Sequence, residues 1–195
     1  GKPDIPIGTA IKKIMQTMST VEEVKSYIET INLSSLSSSQ VVFVDTSGTY
    51  LIIEGDALIT GEEEEKAFSN FYYSQVTSEE DVAIDTFQNG LQFLKSSEGD
   101  ASLGYCSDVM KNLASEGFFG TQYSTIYDLD ALKVRIYLFQ DYSQFVEIDL
   151  MTELKKGNHT TMIPDLFSKE SNGYQHFEKY NNEEIIFLDN HGVII

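Results

Sequence analysis

Three short β-rich segments lie close together in the second half of the chain, and they limit the possible folds more than any other feature. They cover residues 122–127, 133–139 and 145–149. Only two short groups of turn-forming residues, 128–132 and 141–143, separate them. A parallel crossover needs a dozen or more residues, so linkers this short predict an antiparallel three-stranded meander.

Amphipathic helices are predicted before and after these strands. Residues 9–18 place apolar side chains at helical spacing, at Ile11, Ile14, Met15 and Met18. Thr20 and Glu23 have the spacing of a capping box and predict the start of a second helix. Further helices are predicted at about 79–96, 102–115 and 151–156. Beyond Pro164 the pattern weakens and indicates a helix around 172–182 and a strand at 184–188.

A β-hairpin is predicted in the first half of the chain. Segments 40–46 and 49–54 are β-rich, and Ser47 and Gly48 form the turn between them. Residues 57–60 predict a further strand, and the aromatic segment 68–74 reads as a strand or a buried loop. Antiparallel strands segregated from helices indicate an α+β fold. The 195 residues suit a single domain or one part of a larger domain.

The formal net charge of -18 excludes two classes of partner. So acidic a surface repels nucleic-acid phosphates and anionic lipid headgroups, and no cluster of Lys and Arg interrupts it. The glutamate run 62–65 is interpreted as a solvated loop rather than a cation site. No apolar run reaches the length of a membrane span, and the first residues lack the apolar stretch expected of a signal peptide. The sequence does not indicate a compartment.

The chemically versatile side chains form no known catalytic motif. Cys106 is the only cysteine, and it lies at the start of a predicted helix, where the helix dipole lowers a thiol pKa. A structural role is the alternative for this residue. His159, His176 and His191 are far apart in sequence, and neither a metal-binding spacing nor a nucleophile motif accompanies them. We therefore expect neither a metal nor a cofactor.

Several segments together resemble one enzyme family. The run from Gly120 to Gly157 resembles the C-terminal meander of choloylglycine hydrolases and penicillin V acylases, and of the related acyl-coenzyme A:6-aminopenicillanate acyltransferases. In that family a strand of the form T-x-Y-[ST]-x-[VI]-Y-[DN] leads to an aromatic-rich strand. Residues 7–31 resemble the family's paired helices, and Asp45, Gly48 and Glu54 match its hairpin motif. The resemblance covers roughly residues 5–157 and depends on the order of individually short motifs.

The resemblance implies a cysteine N-terminal-nucleophile (Ntn) hydrolase, with antiparallel sheets layered between helices in an αββα sandwich. In that family an N-terminal Cys attacks a linear amide, and an asparagine helps to form the oxyanion hole. Asn70 matches this asparagine, with Ser69 in place of the usual threonine. The alternative for Asn70 is a polar residue that closes a strand. The family's late arginine has no match after Asn70, and Arg135 is a poor substitute because it lies in the meander.

The same resemblance implies that the nucleophile lies on an N-terminal half that this chain lacks. Cys106 cannot replace it, because an internal cysteine has no free α-amino group. The expected function is thus the C-terminal part of an enzyme, or acyltransferase, for linear amide C–N bonds, inactive by itself. The expected partners are the missing half or a second copy, together with a small acyl-amide substrate. Without its other strands, such a half would expose sheet edges and an apolar face.

Two alternatives remain open from the sequence. The chain is also compatible with a non-catalytic acidic α+β module that binds a protein partner or an acyl ligand and has its sheet edges covered. An unrelated acidic α+β domain whose strands match the family by chance is the third reading.

Overall fold

The computed structural model describes residues 1–33, 36, 39–96, 102–115 and 120–191, with backbone alone for 183–191. The chain divides into two compact units, Gly1–Ala83 (unit 1) and Ile84–Ile195 (unit 2). The described residues form six α-helices and two antiparallel three-stranded sheets, which confirms the α+β class.

Unit 1 begins with two helices, α1 (Ile7–Thr17) and α2 (Val21–Ile28). The predicted capping box is present at the start of α2. The Thr20 hydroxyl accepts from the Glu23 N–H at 3.3 Å, and the Glu23 carboxylate accepts from the Thr20 N–H at 3.2 Å. These two bonds satisfy backbone donors that a helix start leaves unpaired, so the sequence fixes where α2 begins.

The sheet of unit 1 consists of β1 (Gln40–Val44), β2 (Tyr50–Glu54) and β3 (Ala57–Gly61) in the order β1-β2-β3. The predicted hairpin and the third strand are both confirmed. Gly48 lies in the hairpin turn with a φ of 83°, a conformation that favours glycine over residues with a Cβ. The register pairs Gln40 with Glu54 at the open end of the hairpin.

Successive residues of β2 point to opposite faces of this sheet. Leu51 and Ile53 are fully buried and belong to one core with Ile14, Val24 and other residues of α1 and α2. Burying a side chain of this size contributes about 1.5–3 kcal/mol. On the other face, Tyr50 and Glu54 contact the segment that follows β3. Helices therefore cover one face of the sheet, and a loop packs on the other.

The described part of unit 2 contains a second sheet and four helices. Helices α3 (Asp85–Ser96) and α4 (Leu103–Leu113) pack on each other and precede the sheet. The predicted meander is confirmed, with the strand order β4-β5-β6, at β4 (Tyr123–Asp128), β5 (Lys133–Leu138) and β6 (Val146–Asp149). A short helix α5 (Leu150–Leu154) follows β6 directly, and α6 (Asn172–His191) packs on β5.

The strand predicted at 184–188 is wrong, because these residues continue α6 to His191. No Gly or Pro follows Gly173 before His191, so nothing in the local sequence ends the helix. The helix starts close to β5. A Cβ atom at Gly173 would lie 2.6 Å from the Leu138 carbonyl oxygen, so a larger residue there would push the helix off the sheet.

Two other segments differ in detail from the sequence predictions. The helix predicted from residue 79 begins only at Asp85, because a 3₁₀ turn at Glu79–Asp81 precedes it. The Ser78 hydroxyl accepts from the Glu80 N–H and caps this separate turn. Of the two readings for 68–74, the loop is the one found, and it leads into a 3₁₀ turn at Tyr73–Gln75.

Candidate functional site

Asn70 lies in the loop that covers the second face of the sheet in unit 1. Its side chain is exposed, and it lines an open pocket of about 780 Å³. The preceding Ser69, which replaces the family's threonine, is half-buried. The pocket is formed within unit 1 by the first residue of β1, its neighbour Ser39 and the loop 70–76.

One side chain of the sheet holds the backbone on both sides of Asn70. The Nε2 atom of Gln40 donates to the carbonyl oxygen of Ser69 and to that of Phe71, the latter at 3.1 Å. A single amide group therefore fixes the residues before and after Asn70. Because Gln40 is the first residue of β1, these bonds tie the position of Asn70 to the sheet of unit 1.

The cross-strand partner of Gln40 holds the next part of the same loop. Glu54 is only 5% exposed, and its carboxylate accepts from the N–H groups of Tyr73 at 2.7 Å and Ser74 at 2.9 Å. A buried carboxylate is tolerated only with such partners, and hydrogen bonds to charged groups contribute about 1.5–3 kcal/mol each. We call Gln40 and Glu54 together the loop clamp.

Aromatic side chains fill the space beneath the loop. The Phe68 ring packs against Tyr50 at 5.6 Å and against Tyr73 at 5.9 Å, and the Phe71 ring packs against Tyr73 at 4.6 Å. The Tyr73 hydroxyl donates to the carbonyl oxygen of Ala67. Burial raises the pKa of this hydroxyl, so Tyr73 stays a neutral donor at any physiological pH. This aromatic cluster lies beneath the loop and supports the segment that carries Asn70.

Charged groups pair at the edge of this cluster. Lys66 forms an ion pair with Glu79, and its ammonium group lies 4.7 Å from the centre of the Tyr73 ring. The Tyr50 hydroxyl donates to Glu63 at 2.7 Å. Burial, and then this bond to an anion, raise the pKa of Tyr50 to about 12. These contacts join the beginning of the loop to the sheet and to the 3₁₀ turn at Glu79–Asp81.

Asp45 has a structural role at the opposite end of the hairpin. Its carboxylate accepts from the Val21 N–H at 2.9 Å and from the Ser47 N–H at 2.9 Å, so it joins the start of α2 to the hairpin turn. The Ser47 hydroxyl, followed by the Val21 N–H, lowers the pKa of Asp45 below its ordinary value. Asp45 and Glu54 of the hairpin motif thus have structural roles in unit 1.

The other residues considered from the sequence lie in unit 2. Arg135 on β5 forms an ion pair with Glu147 at 3.0 Å, and its guanidinium lies 4.4 Å from the centre of the Phe145 ring. Its charge is therefore already paired within the sheet of unit 2. Cys106 is half-buried within α4. His159 contacts Glu153 and the Gly157 carbonyl, and His176 is exposed on α6. The side chain of His191 lies outside the described residues.

The pocket beside Asn70 offers neutral hydrogen-bond donors to a ligand. Its described lining consists of amide, hydroxyl and apolar side chains and includes no cysteine, histidine or carboxylate. The amide of Asn70 is a neutral hydrogen-bond donor of the kind that stabilises an oxyanion. Sequence reasoning missed the loop clamp. A single glutamate ending the otherwise apolar strand Tyr50–Glu54 was the signal that could have indicated it.

The described residues contain neither a metal-binding cluster nor a membrane-spanning helix. They contain no group of three or more His, Cys, Asp or Glu side chains placed to hold a metal ion. Within the same residues, no helix has both the length and the apolar character needed to cross a bilayer.

Comparisons with known proteins gave no relatives. No protein-family model matches the chain, and neither the curated proteins nor the solved structures contain a match. The likeness to choloylglycine hydrolases therefore depends on the sequence motifs alone.

Proposed function

We propose that this chain is the C-terminal part of a cysteine Ntn hydrolase that acts on linear non-peptide amide C–N bonds, with Asn70 as an oxyanion donor. The observation that carries the proposal is the loop clamp. Gln40 and Glu54, a cross-strand pair, fix the backbone around Asn70 and leave its amide at an open pocket. Oxyanion stabilisation requires a donor that is held in place before the reaction begins.

The chemistry divides between this chain and a nucleophile outside it. The only cysteine here is the internal Cys106, so a segment beyond these 195 residues would supply the N-terminal Cys. Its α-amino group takes the thiol proton as the sulfur attacks the amide carbonyl. Asn70 then donates to the negatively charged oxygen of the tetrahedral intermediate. Collapse of the intermediate breaks the C–N bond, and the departing amine takes the proton. The acyl group stays on the sulfur as a thioester, which water or another acceptor then cleaves.

Intact mass and N-terminal sequencing of the protein from its native source test this proposal first. We expect a longer precursor, or a co-purifying chain that begins with Cys, and release of amine from linear amides by that assembly. A lone chain without an N-terminal Cys and without amidase activity would contradict the proposal. That result would favour the non-catalytic acidic module that binds a partner or an acyl ligand.

The Asn70→Ala substitution in the active assembly tests the assigned role. Loss of one oxyanion donor lowers kcat by about 10²–10³, with little change in KM, because the bond strengthens in the transition state. Asn182→Ala, at an exposed asparagine on α6, serves as the control and should leave kcat unchanged. An unaltered kcat in Asn70→Ala would remove Asn70 from the mechanism and leave it a polar loop residue.

A further inference from the structure

The pocket beside Asn70 differs from the rest of the chain in its charge. Charged residues make up 23% of the sequence, and the net charge is -18. Yet every described residue that lines this pocket is uncharged. Phe71, Tyr72 and Val76 contribute aromatic and apolar surface, and Asn70 and Gln75 contribute neutral amides.

A charged ligand bound in this open pocket would lose part of its hydration without gaining a counter-charge from the lining residues. An ion that leaves water needs a partner of opposite sign, and the described lining offers none. An anion is at a further disadvantage, because the field of a chain with a net charge of -18 repels it. Apolar surface with a few neutral polar groups is the usual composition of a small-molecule site.

Two lining side chains also carry buried polar atoms without a hydrogen-bond partner in the described structure. They are the Oε1 atom of Gln40, an acceptor, and the hydroxyl of Tyr72, a donor. Gln40 uses its Nε2 atom in the loop clamp, so its oxygen is left over. Buried polar groups are normally paired, and because both atoms have almost no accessible surface, a ligand amide bonds to them only after the side chains above them shift.

We infer that this pocket binds an uncharged ligand that carries an amide and an aromatic or apolar acyl group, and that it discriminates against carboxylate analogues. The amide as ligand class rests on the proposed function, whereas the selectivity against charge rests on the lining residues alone. The site thus takes neutral acyl-amides in preference to amides whose amine portion is an acid.

Three ligands with the same acyl group test the inference on the full 195-residue chain. They are N-(2-hydroxyethyl)phenylacetamide, which is neutral, phenylacetylglycine, which is an anion, and N-(2-aminoethyl)phenylacetamide, which is a cation. NMR titration of the ¹⁵N-labelled chain should shift the signals of Asn70, Phe71 and Val76. The Kd of the neutral ligand should be at least about tenfold lower than that of either charged ligand. Equal or tighter binding of a charged ligand, or no shift at these residues, overturns the inference.

A matched pair of variants assigns the selectivity to the pocket. Gln75 is exposed and lines the pocket, and Gln16 is exposed on α1 and is not among the described lining residues. Gln75→Lys should tighten binding of the phenylacetylglycine anion by about tenfold relative to the unsubstituted chain, because it supplies the missing counter-charge. Gln16→Lys changes the net charge equally and should leave the Kd unaltered. Equal effects of the two variants would overturn a local origin of the selectivity.

Cleavage of the amide does not enter this measurement. Selective binding without turnover in the complete assembly would support the inference and contradict the proposed function. Turnover accompanied by preference for the anionic ligand would support the proposed function and contradict the inference.

Discussion

At the scale of single residues, the position of Asn70 depends on a few polar atoms of the sheet. The Gln40 amide donates to the carbonyl oxygens on both sides of Asn70, and the buried Glu54 accepts from the next two N–H groups of the loop after Tyr72. Gln40 and Glu54 therefore have a structural role in the loop that carries Asn70. Both act by fixing the backbone from which Asn70 projects.

Substitution Gln40→Glu is expected to weaken this arrangement without changing the size of the side chain. At neutral pH the carboxylate places an acceptor against two carbonyl oxygens, and the free energy of unfolding of unit 1 should fall by about 1–3 kcal/mol. Urea unfolding followed by NMR signals of unit 1 measures the change. Gln16→Glu, at an exposed position of α1, adds the same charge and should have little effect. Equal stability of the two variants would show that the loop does not depend on Gln40.

Asp45 provides a pH-dependent contribution that can be measured separately. Because the Ser47 hydroxyl and the Val21 N–H lower its pKa in the folded chain, the carboxylate stabilises the fold above the unfolded pKa of about 3.9. This contribution is lost as the pH falls through the lower folded value. Asp45→Asn should therefore be less stable than the unsubstituted chain at pH 7, and the difference should shrink below pH 4, as urea unfolding would report.

The control for Asp45 lies in the next turn. Asp56 is exposed, and Asp56→Asn removes the same charge without a bond to α2. A stability difference for Asp45→Asn that stays constant from pH 7 to pH 2 would contradict the assigned role.

At the scale of elements, the His159 imidazole lies between two acceptors at the C-terminal end of α5. The Nδ1 atom of His159 lies 2.8 Å from the Gly157 carbonyl oxygen, and Nε2 contacts the Glu153 carboxylate. Only the doubly protonated ring donates to both. The Gly157 carbonyl, and then Glu153, accordingly raise the pKa of His159 above its ordinary value. The stabilisation is complete below the unfolded pKa of about 6.5 and is lost as the pH rises through the folded value.

NMR titration of the histidine ring signals tests this arrangement at the end of α5. We expect a titration midpoint for His159 above about 6.5. The midpoint should be lower in Glu153→Gln, because that variant replaces the anionic acceptor of the ring with a neutral one. Glu178→Gln, at an exposed glutamate of α6, should leave the midpoint unchanged. A midpoint of His159 that does not respond to Glu153→Gln would contradict the arrangement.

At the scale of the whole molecule, the described residues of each unit form a sheet of three strands, so each such sheet has two edge strands. One edge strand of the sheet in unit 2 has exposed large side chains. Tyr123 and Tyr127 on the edge strand β4 are 54% and 62% exposed. Exposed strand edges with large apolar side chains favour pairing with another chain. Coverage of this edge by a missing N-terminal half stays a prediction.

Self-association of the isolated chain is the expected consequence. Light scattering coupled to size exclusion should give a mass above that of the monomer, and the mass should rise with concentration. Tyr127→Lys should lower it, because a charged side chain on an edge strand opposes edge-to-edge pairing. Met15→Lys, at an exposed apolar residue of α1, is the matched control. A monomer at all concentrations would favour the self-contained module instead.

The sequence by itself determined the features that depend on near neighbours. The capping box of Thr20 and Glu23, the hairpin around Gly48 and the three-stranded meander all follow from residues a few positions apart, and all are present. Motif order predicted a role for Asn70, and that role stays a prediction; the structure places its side chain at a pocket. Only the tertiary structure decided how that residue is held. The Gln40 amide reaches carbonyl groups 29 and 31 residues away, and such contacts depend on how the loop packs over the sheet rather than on any local pattern.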